Sequence, residues 1–258
     1  MRQRETHEGE KNVTILAVAL AKFEPECVPD CVTDSLTKKR SRQTMSKANT
    51  VEVIHPLIQH HLSCLRDVST GPVEFRHSVH RLASLLAYEA TKNLEVRSTW
   101  VRTPMATLEG KCLAQRIGLI PILRAGLGMV DPILELIPVA EVWHLGLYRD
   151  EKTARPVKYY SKLPPGRPVD TALIVDPMLA TGGSAISAME TLKEWGVKSI
   201  KLLSIIAAPE GIEEISNAFP SAQVFVCAID EKLNDQKFIV PGLGDAGDRM
   251  FNTIERGL

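Results

Sequence analysis

Val169-Asp-Thr-Ala-Leu-Ile-Val-Asp176-Pro-Met-Leu-Ala-Thr181-Gly182-Gly183-Ser184-Ala-Ile-Ser187 runs from an apolar stretch into a loop of small and hydroxylated residues. Ala172 to Val175, apolar and bounded by polar residues, reads as a strand buried on both faces of a parallel sheet. Pro177 has no N–H to give and ends the ladder. Beyond the loop, Ile186, Met189, Leu192 and Trp195 recur at helical spacing. Strand, Gly-rich loop and helix in this order aim free amides and the positive end of a helix at one point, which is a phosphate site. A P-loop requires a lysine that does not follow Gly183, and the loop does not supply the G-x-G-x-x-G of a dinucleotide site. What remains is a monophosphate cradle with the Asp176 carboxylate at its mouth, an arrangement suited to the hydroxyls of a ribose whose 5-phosphate sits in the loop.

Working outward, Arg116 to Leu123 reads as a second buried strand, followed by Arg124-Ala-Gly126-Leu-Gly128. Two glycines at a strand end allow close approach of a ligand, and Arg124 is costly beside a buried strand without an anion. An arginine paired with a structural carboxylate is the other reading. Val142 to Tyr148 is taken as a third strand, ending in Arg149. Residues 151–168 carry four prolines and read as an excursion that covers the site. Ile200–Ala207 and Val224–Ile229 supply further strands around a helix near Pro209–Phe219. Upstream, Val51–Pro56 is a short strand, Leu57–Arg66 a helix, and Val73–Asn93 a longer one whose buried face is Phe75, Val79, Leu82, Ala83, Leu86 and Ala90. His55, His60 and His61 have no partner cluster and are taken as surface or capping residues. Alternating strands and helices indicate a parallel α/β sheet. Near the end, Phe238-Ile-Val-Pro241-Gly242-Leu-Gly244-Asp245-Ala246-Gly247-Asp248-Arg249 is too rich in glycine for a regular element. Its backbone groups are free to face a flat ligand.

The 258 residues, 44% hydrophobic, suffice for one large or two small domains. No apolar run approaches the ~18 residues of a membrane span. Thirty-one basic residues balance 31 acidic ones, which argues against a broad nucleic-acid or membrane surface. Five scattered cysteines fit a reduced compartment better than a disulfide framework. Residues 1–48 stand apart in composition, with a charged start, the apolar run Val13–Leu20 and the basic patch Lys38–Arg42. They read as a disordered N-terminal extension, dispensable for catalysis, ahead of a domain at 49–258, with Met45 an alternative start.

Three motifs carry a family resemblance. Val175-Asp-Pro-Met-Leu-Ala-Thr-Gly-Gly-Ser184 resembles the PRPP-binding motif of phosphoribosyltransferases in its uracil branch, Val175 holding the place where many relatives have a first acid. Ile122-Leu-Arg124-Ala-Gly-Leu-Gly-Met129 resembles that branch's diphosphate loop, and Pro241-Gly-Leu-Gly-Asp-Ala-Gly-Asp248 its uracil-binding loop. The resemblance implies a central parallel sheet with helices on both faces and a small hood over its C-terminal edge. It implies transfer of the 5-phosphoribosyl group from PRPP to uracil, giving UMP and diphosphate. PRPP would be held by Arg124, Arg149, Asp176, Pro177, Met178, Leu179, Ala180, Thr181, Gly182, Gly183, Ser184 and Asp245, and uracil by Ile239, Gly244, Asp245 and Ala246. Asp245 and Arg149 are the catalytic candidates. Mg²⁺ is the expected cofactor, carried by PRPP with no protein ligands assigned. The resemblance further implies a cytoplasmic homo-oligomer, dimer or tetramer, with GTP as an allosteric activator and without nucleic-acid or membrane partners. A catalytically silent nucleotide-binding or RNA-binding regulator on the same fold is the alternative.

Overall fold

The structure, a computed structural model, describes residues 49–149, 156–161 and 163–253. The N-terminal extension and the tip of the 151–168 excursion lie outside the described residues. The chain begins with strand β1 (Asn49–Glu52), helix α1 (Pro56–Arg66) and helix α2 (Pro72–Ala90). Proline opens both helices, where its missing N–H is no loss, and His55 caps α1 by accepting from the Leu57 amide. An antiparallel hairpin follows, β2 (Val96–Arg102) and β3 (Thr107–Leu113), then β4 (Ile117–Pro121), a 3-10 turn over Ala125–Met129 and α3 (Val130–Leu136). After the two-residue β5 (Glu141–Val142) come β6 (Leu145–Arg149) and β7 (Pro156–Ser161). The central unit is β8 (Thr171–Val175), β9 (Met178–Leu179) and α4 (Gly183–Trp195). Then β10 (Ser199–Ala207), α5 (Pro209–Ala218), β11 (Gln223–Ile229), β12 (Lys232–Leu233), β13 (Ile239–Val240) and α6 (Ala246–Phe251) complete the described chain.

The main sheet has the order β1-β11-β10-β8-β4-β5, every pair parallel, with β9 adding to β10. Every residue of β4 and β8 is buried, because the sheet carries helices on both sides. Alternation along the strands sorts the core into two layers. Leu119, Leu173, Val175, Leu203 and Phe225 pack with α1, α2 and α3. Ile120, Ala172, Ile174, Leu202 and Val224 pack with Met189 and Leu192 of α4 and with Ile212 and Ile215 of α5. Lys201 of β10 reaches the C-terminal end of α2, donating to the Ala90 carbonyl at 2.6 Å and to Asn93 Oδ1. The negative end of the helix holds this ammonium, while burial pushes its pKa down. The antiparallel pair β12–β13 and the loop into α6 form the small hood by the end of β11.

The sequence reading needs correction at four places. Val142–Tyr148 is not one strand: β5 pairs with β4, while β6 leaves to pair with β7 through a bulge at Gly146/Leu147. Trp143 marks the exchange; its ring meets Trp195 edge to face at 5.8 Å, and the Trp195 indole donates to the Pro164 carbonyl where the excursion returns. Pro177 interrupts the ladder without ending it, since β9 resumes pairing with β10. The stretch after Asp245 is helical, Gly247 included. The β2–β3 hairpin has no counterpart in the sequence reading.

Candidate active site

The C-terminal ends of β4, β8 and β10 converge on the loop Asp176–Ser184, which lines a cavity of about 110 Å³ together with Ala185. Met178 to Ser184 all border it, and Pro177 braces it: its carbonyl accepts from the Ile205 and Ile206 amides at 3.0 and 3.1 Å. Gly182 has φ +80° and, as the N-cap residue of α4, offers no side chain to its first-turn amides. A 13-residue helix with such an end meets a phosphate with N–H groups and the positive end of its dipole.

Helix α5 holds that loop from behind. A methyl group on Gly211 would lie 2.3 Å from the Ala180 carbonyl oxygen, and one on Gly182 would lie 3.1 Å from the Gly211 carbonyl. Helix and loop therefore touch backbone to backbone. Replacing a helical glycine by alanine ordinarily stabilises by up to ~1 kcal/mol. Here Gly211→Ala is expected to displace the loop, lowering kcat/KM for PRPP about tenfold or more, with a lower melting temperature. Steady-state kinetics and a thermal melt check both; a stabilised variant with parental kinetics excludes the contact as a determinant of loop position.

Asp176 is half-buried at the head of the loop, with Oδ1 accepting from the Met178 amide at 3.3 Å. Desolvation pushes its pKa up to about 7, against a lowering by the Met178 N–H. The carboxyl borders the cavity, and it is costly to ionise in the absence of a ligand.

Arg124, after the cis peptide Leu123–Arg124, extends from the 3-10 turn and donates to Asp248 Oδ1 at 2.9 Å. The Thr253 hydroxyl first, then this guanidinium, holds the Asp248 carboxyl below the usual carboxylate range. Both sequence readings of Arg124 thus have a counterpart, since it is paired with a carboxylate and still well exposed. The glycines beside it serve the chain. A methyl group on Gly126 would lie 2.4 Å from the Val175 carbonyl oxygen, and one on Gly128 would strike Met250. The close approach read there as room for a ligand is packing of the turn against β8 and α6.

In the hood, Ile239 and Ala246 are buried on either side of exposed Gly244 and Asp245. Asp245 caps α6, its Oδ1 accepting from the Asp248 amide at 2.9 Å. Among the described residues, no hydrogen bond within the chain takes the amide or carbonyl of Gly244. The hood is tied to the phosphate loop through α5, where Glu210 accepts from the Leu233 amide, and to the Arg124 turn through Asp248. A ring of contacts therefore joins the three predicted motifs around the sheet edge. Arg149 closes β6, and its side chain is outside what is described. Sequence reasoning missed Gly211, Arg66 and Asp230. Gly211, directly after Pro209-Glu210 at a helix start, is the one that a search for glycine inside a helix pattern finds.

Comparison with known proteins agrees with this geometry. The family profile described as uracil phosphoribosyltransferase matches residues 52–253. A uracil phosphoribosyltransferase of Roseiflexus sp. (strain RS-1) is 57% identical over 199 residues, 77% of this chain and 96% of that one. One from Desulfitobacterium hafniense (strain DCB-2) is 53% identical over 210 residues, 81% of this chain and all of the relative. A solved protein from Aquifex aeolicus superposes with TM-score 0.75 at 38% identity, covering 78% of this chain and 97% of its own. The adenine phosphoribosyltransferase of Leishmania donovani, at TM-score 0.50 and 14% identity, shares the fold. With a profile spanning nearly all of the described chain and more than half of the aligned residues shared with relatives matched almost end to end, the chain belongs to the uracil phosphoribosyltransferase family.

Proposed function

We propose that the chain transfers the 5-phosphoribosyl group of PRPP to uracil, releasing UMP and diphosphate. The observation that carries this reading is the ring joining three sites: an uncapped helix end with a 110 Å³ cavity, a cation at the neighbouring turn, and an unbonded Gly244 peptide in the hood. The 5-phosphate occupies the loop Asp176–Ser184, and Asp176 accepts from the ribose hydroxyls. Arg124, with Arg149, faces the diphosphate. As the bond from C1 to diphosphate breaks, positive charge grows on the ribose and negative charge on the leaving group. An ionised Asp176 lies on the side of the first and Arg124 on the side of the second. Uracil rests between Ile239 and Ala246, read by the backbone at Gly244, so that N1 is held behind C1 and the gain is one of positioning. Asp245, its carboxylate already engaged in capping α6, orients this loop and faces PRPP.

Mg²⁺ fits as part of the substrate. The oxygens of PRPP would supply most of its ligands, and bound there it would neutralise the diphosphate. The resemblance also supports a cytoplasmic homo-oligomer activated by GTP, which sedimentation and a GTP titration of the rate address. No helix among the described residues is long and apolar enough to cross a membrane.

The direct test is formation of UMP from uracil and PRPP by the purified chain, with hypoxanthine and orotate as controls; absence of UMP excludes the reading. A narrower expectation concerns Arg124→Ala. Loss of a charge-assisted bond to diphosphate should raise KM for PRPP about ten- to a hundredfold. A variant with parental KM and kcat but a lower melting temperature would leave Arg124 only its pairing with Asp248.

A further inference from the structure

We propose that Arg66 and Asp230 are positioning residues for pyrimidine specificity: their ion pair grips both peptide groups of Gly242 and so aims the Gly244 peptide at the base. The proposal rests on the assignment of residues 239–246 to uracil. Arg66 ends α1 and Asp230 follows β11, 164 residues apart and in no motif. Arg66 Nη1 donates to Asp230 Oδ2 at 2.8 Å, and Nη2 donates to Oδ1. The same Nη1 donates to the Gly242 carbonyl at 2.7 Å, while Asp230 Oδ2 accepts from the Gly242 amide at 2.9 Å. Asp230 is itself fixed to the sheet, its amide donating to the Ala207 carbonyl at 2.8 Å.

The neighbouring peptide is held as well. Arg249 Nη1 donates to the Leu243 carbonyl and to the Leu65 carbonyl, both at 2.8 Å, and its guanidinium lies 4.5 Å from the centre of the Phe75 ring. The amide and carbonyl of Gly242 and the carbonyl of Leu243 are therefore all engaged, and the Gly244 N–H, on the same peptide plane as that Leu243 carbonyl, is left for a ligand together with the Gly244 carbonyl. Without the pair, rotation about Gly242, where φ is +64°, would swing that peptide.

The side chain of Asp230 is 4% exposed and that of Arg66 24%. A desolvated pair of this kind gives little net stability over apolar substitutes. What it does supply is geometry: a planar fork referenced to the end of a helix on one side and to the sheet on the other. Leu243 and Ala246 anchor the loop in the core, while the fork fixes the direction of the two peptide groups at Gly242.

The test compares Asp230→Asn and Arg66→Lys with the parent, varying uracil, cytosine and PRPP separately and recording melting curves. Asparagine keeps the size but not the charge, and lysine keeps the charge but not the fork. Each should raise KM for uracil about tenfold or more, because small misplacements near a reacting group have large effects. KM for PRPP should stay within about twofold, and the preference for uracil over cytosine should narrow about tenfold. A pair that is merely structural would lower the melting temperature while moving both KM values together or neither, and either result overturns the proposal. If Asp230→Asn does not fold, Arg66→Lys decides alone: a selective rise in uracil KM supports the brace and a parental value overturns it. A parent chain that makes no UMP overturns the underlying assignment, and the brace with it. A parent that makes UMP beside variants with unchanged uracil KM overturns the brace alone.

Discussion

Asp176→Asn should melt at a higher temperature than the parent at pH 8 and yet lose a factor on the order of 10³ in kcat/KM for PRPP. The sign follows from burial. The folded-state pKa of Asp176 is raised from 3.8 to about 7. A group shifted upward favours folding fully below its unfolded pKa, and that contribution is lost as the pH rises through the folded value. Between pH 3.8 and about 7 the ligand-free protein thus loses stability as this carboxyl ionises. Asparagine can still accept from the Met178 amide and has no charge to bury. The variant and the parent should melt together near pH 4 and diverge toward pH 8, which a series of thermal melts without PRPP will show. Activity moves the other way, since the amide neither accepts as strongly from the ribose hydroxyls nor opposes the charge on the ribose. A variant less stable than its parent at pH 8 would mean that the carboxylate has a favourable partner in the free protein, contrary to the desolvation described here.

Cytosine should be rejected by a factor on the order of 10⁴ relative to uracil in kcat/KM. Uracil offers acceptor, donor, acceptor along O2, N3 and O4. Cytosine keeps the first and inverts the other two. A backbone peptide cannot invert in response, and at Gly244 the neighbouring peptides are already engaged with Arg66, Asp230 and Arg249. Two mismatched polar groups in a closed site leave donors facing donors, and unmade hydrogen bonds of buried groups are what makes such discrimination large. Separation of UMP from CMP after incubation with each base and PRPP measures the ratio. Comparable turnover of the two bases would exclude backbone readout in the hood.

The parts of this site that the sequence discloses are those governed by local chemistry. An apolar run, a strand-end proline and Thr181-Gly182-Gly183 locate the phosphate loop without any knowledge of its neighbours. Partner exchange has no such local signature. Val142–Tyr148 keeps one apolar pattern while its backbone passes from β4 to β7. The β2–β3 hairpin is exposed on both faces along much of its length, so no hydrophobic period marks it. Its turn does leave a trace, because Thr103 Oγ1 accepts from the Ala106 amide. Glycine is ambiguous in another way. At Gly126 it announces that something comes close, and only the fold shows that this is the Val175 carbonyl. The depth of Asp176 and the meeting of Arg66 with Asp230 depend on segments far apart in the chain, which neither composition nor spacing registers.

The edge-to-face contact of Trp143 with Trp195 gives the molecule an internal optical gauge. Of three tryptophans, Trp100 is 76% exposed on the β2–β3 hairpin, while the other two share one contact. Trp143 stands where the chain departs for β6, and Trp195 ends the helix that begins at the phosphate loop. Their indole transition dipoles couple at 5.8 Å, so near-ultraviolet ellipticity and emission carry a component set by the separation of those two segments. Events at the loop are thereby connected through α4 to a native chromophore pair, and the working protein can be followed in real time without a label.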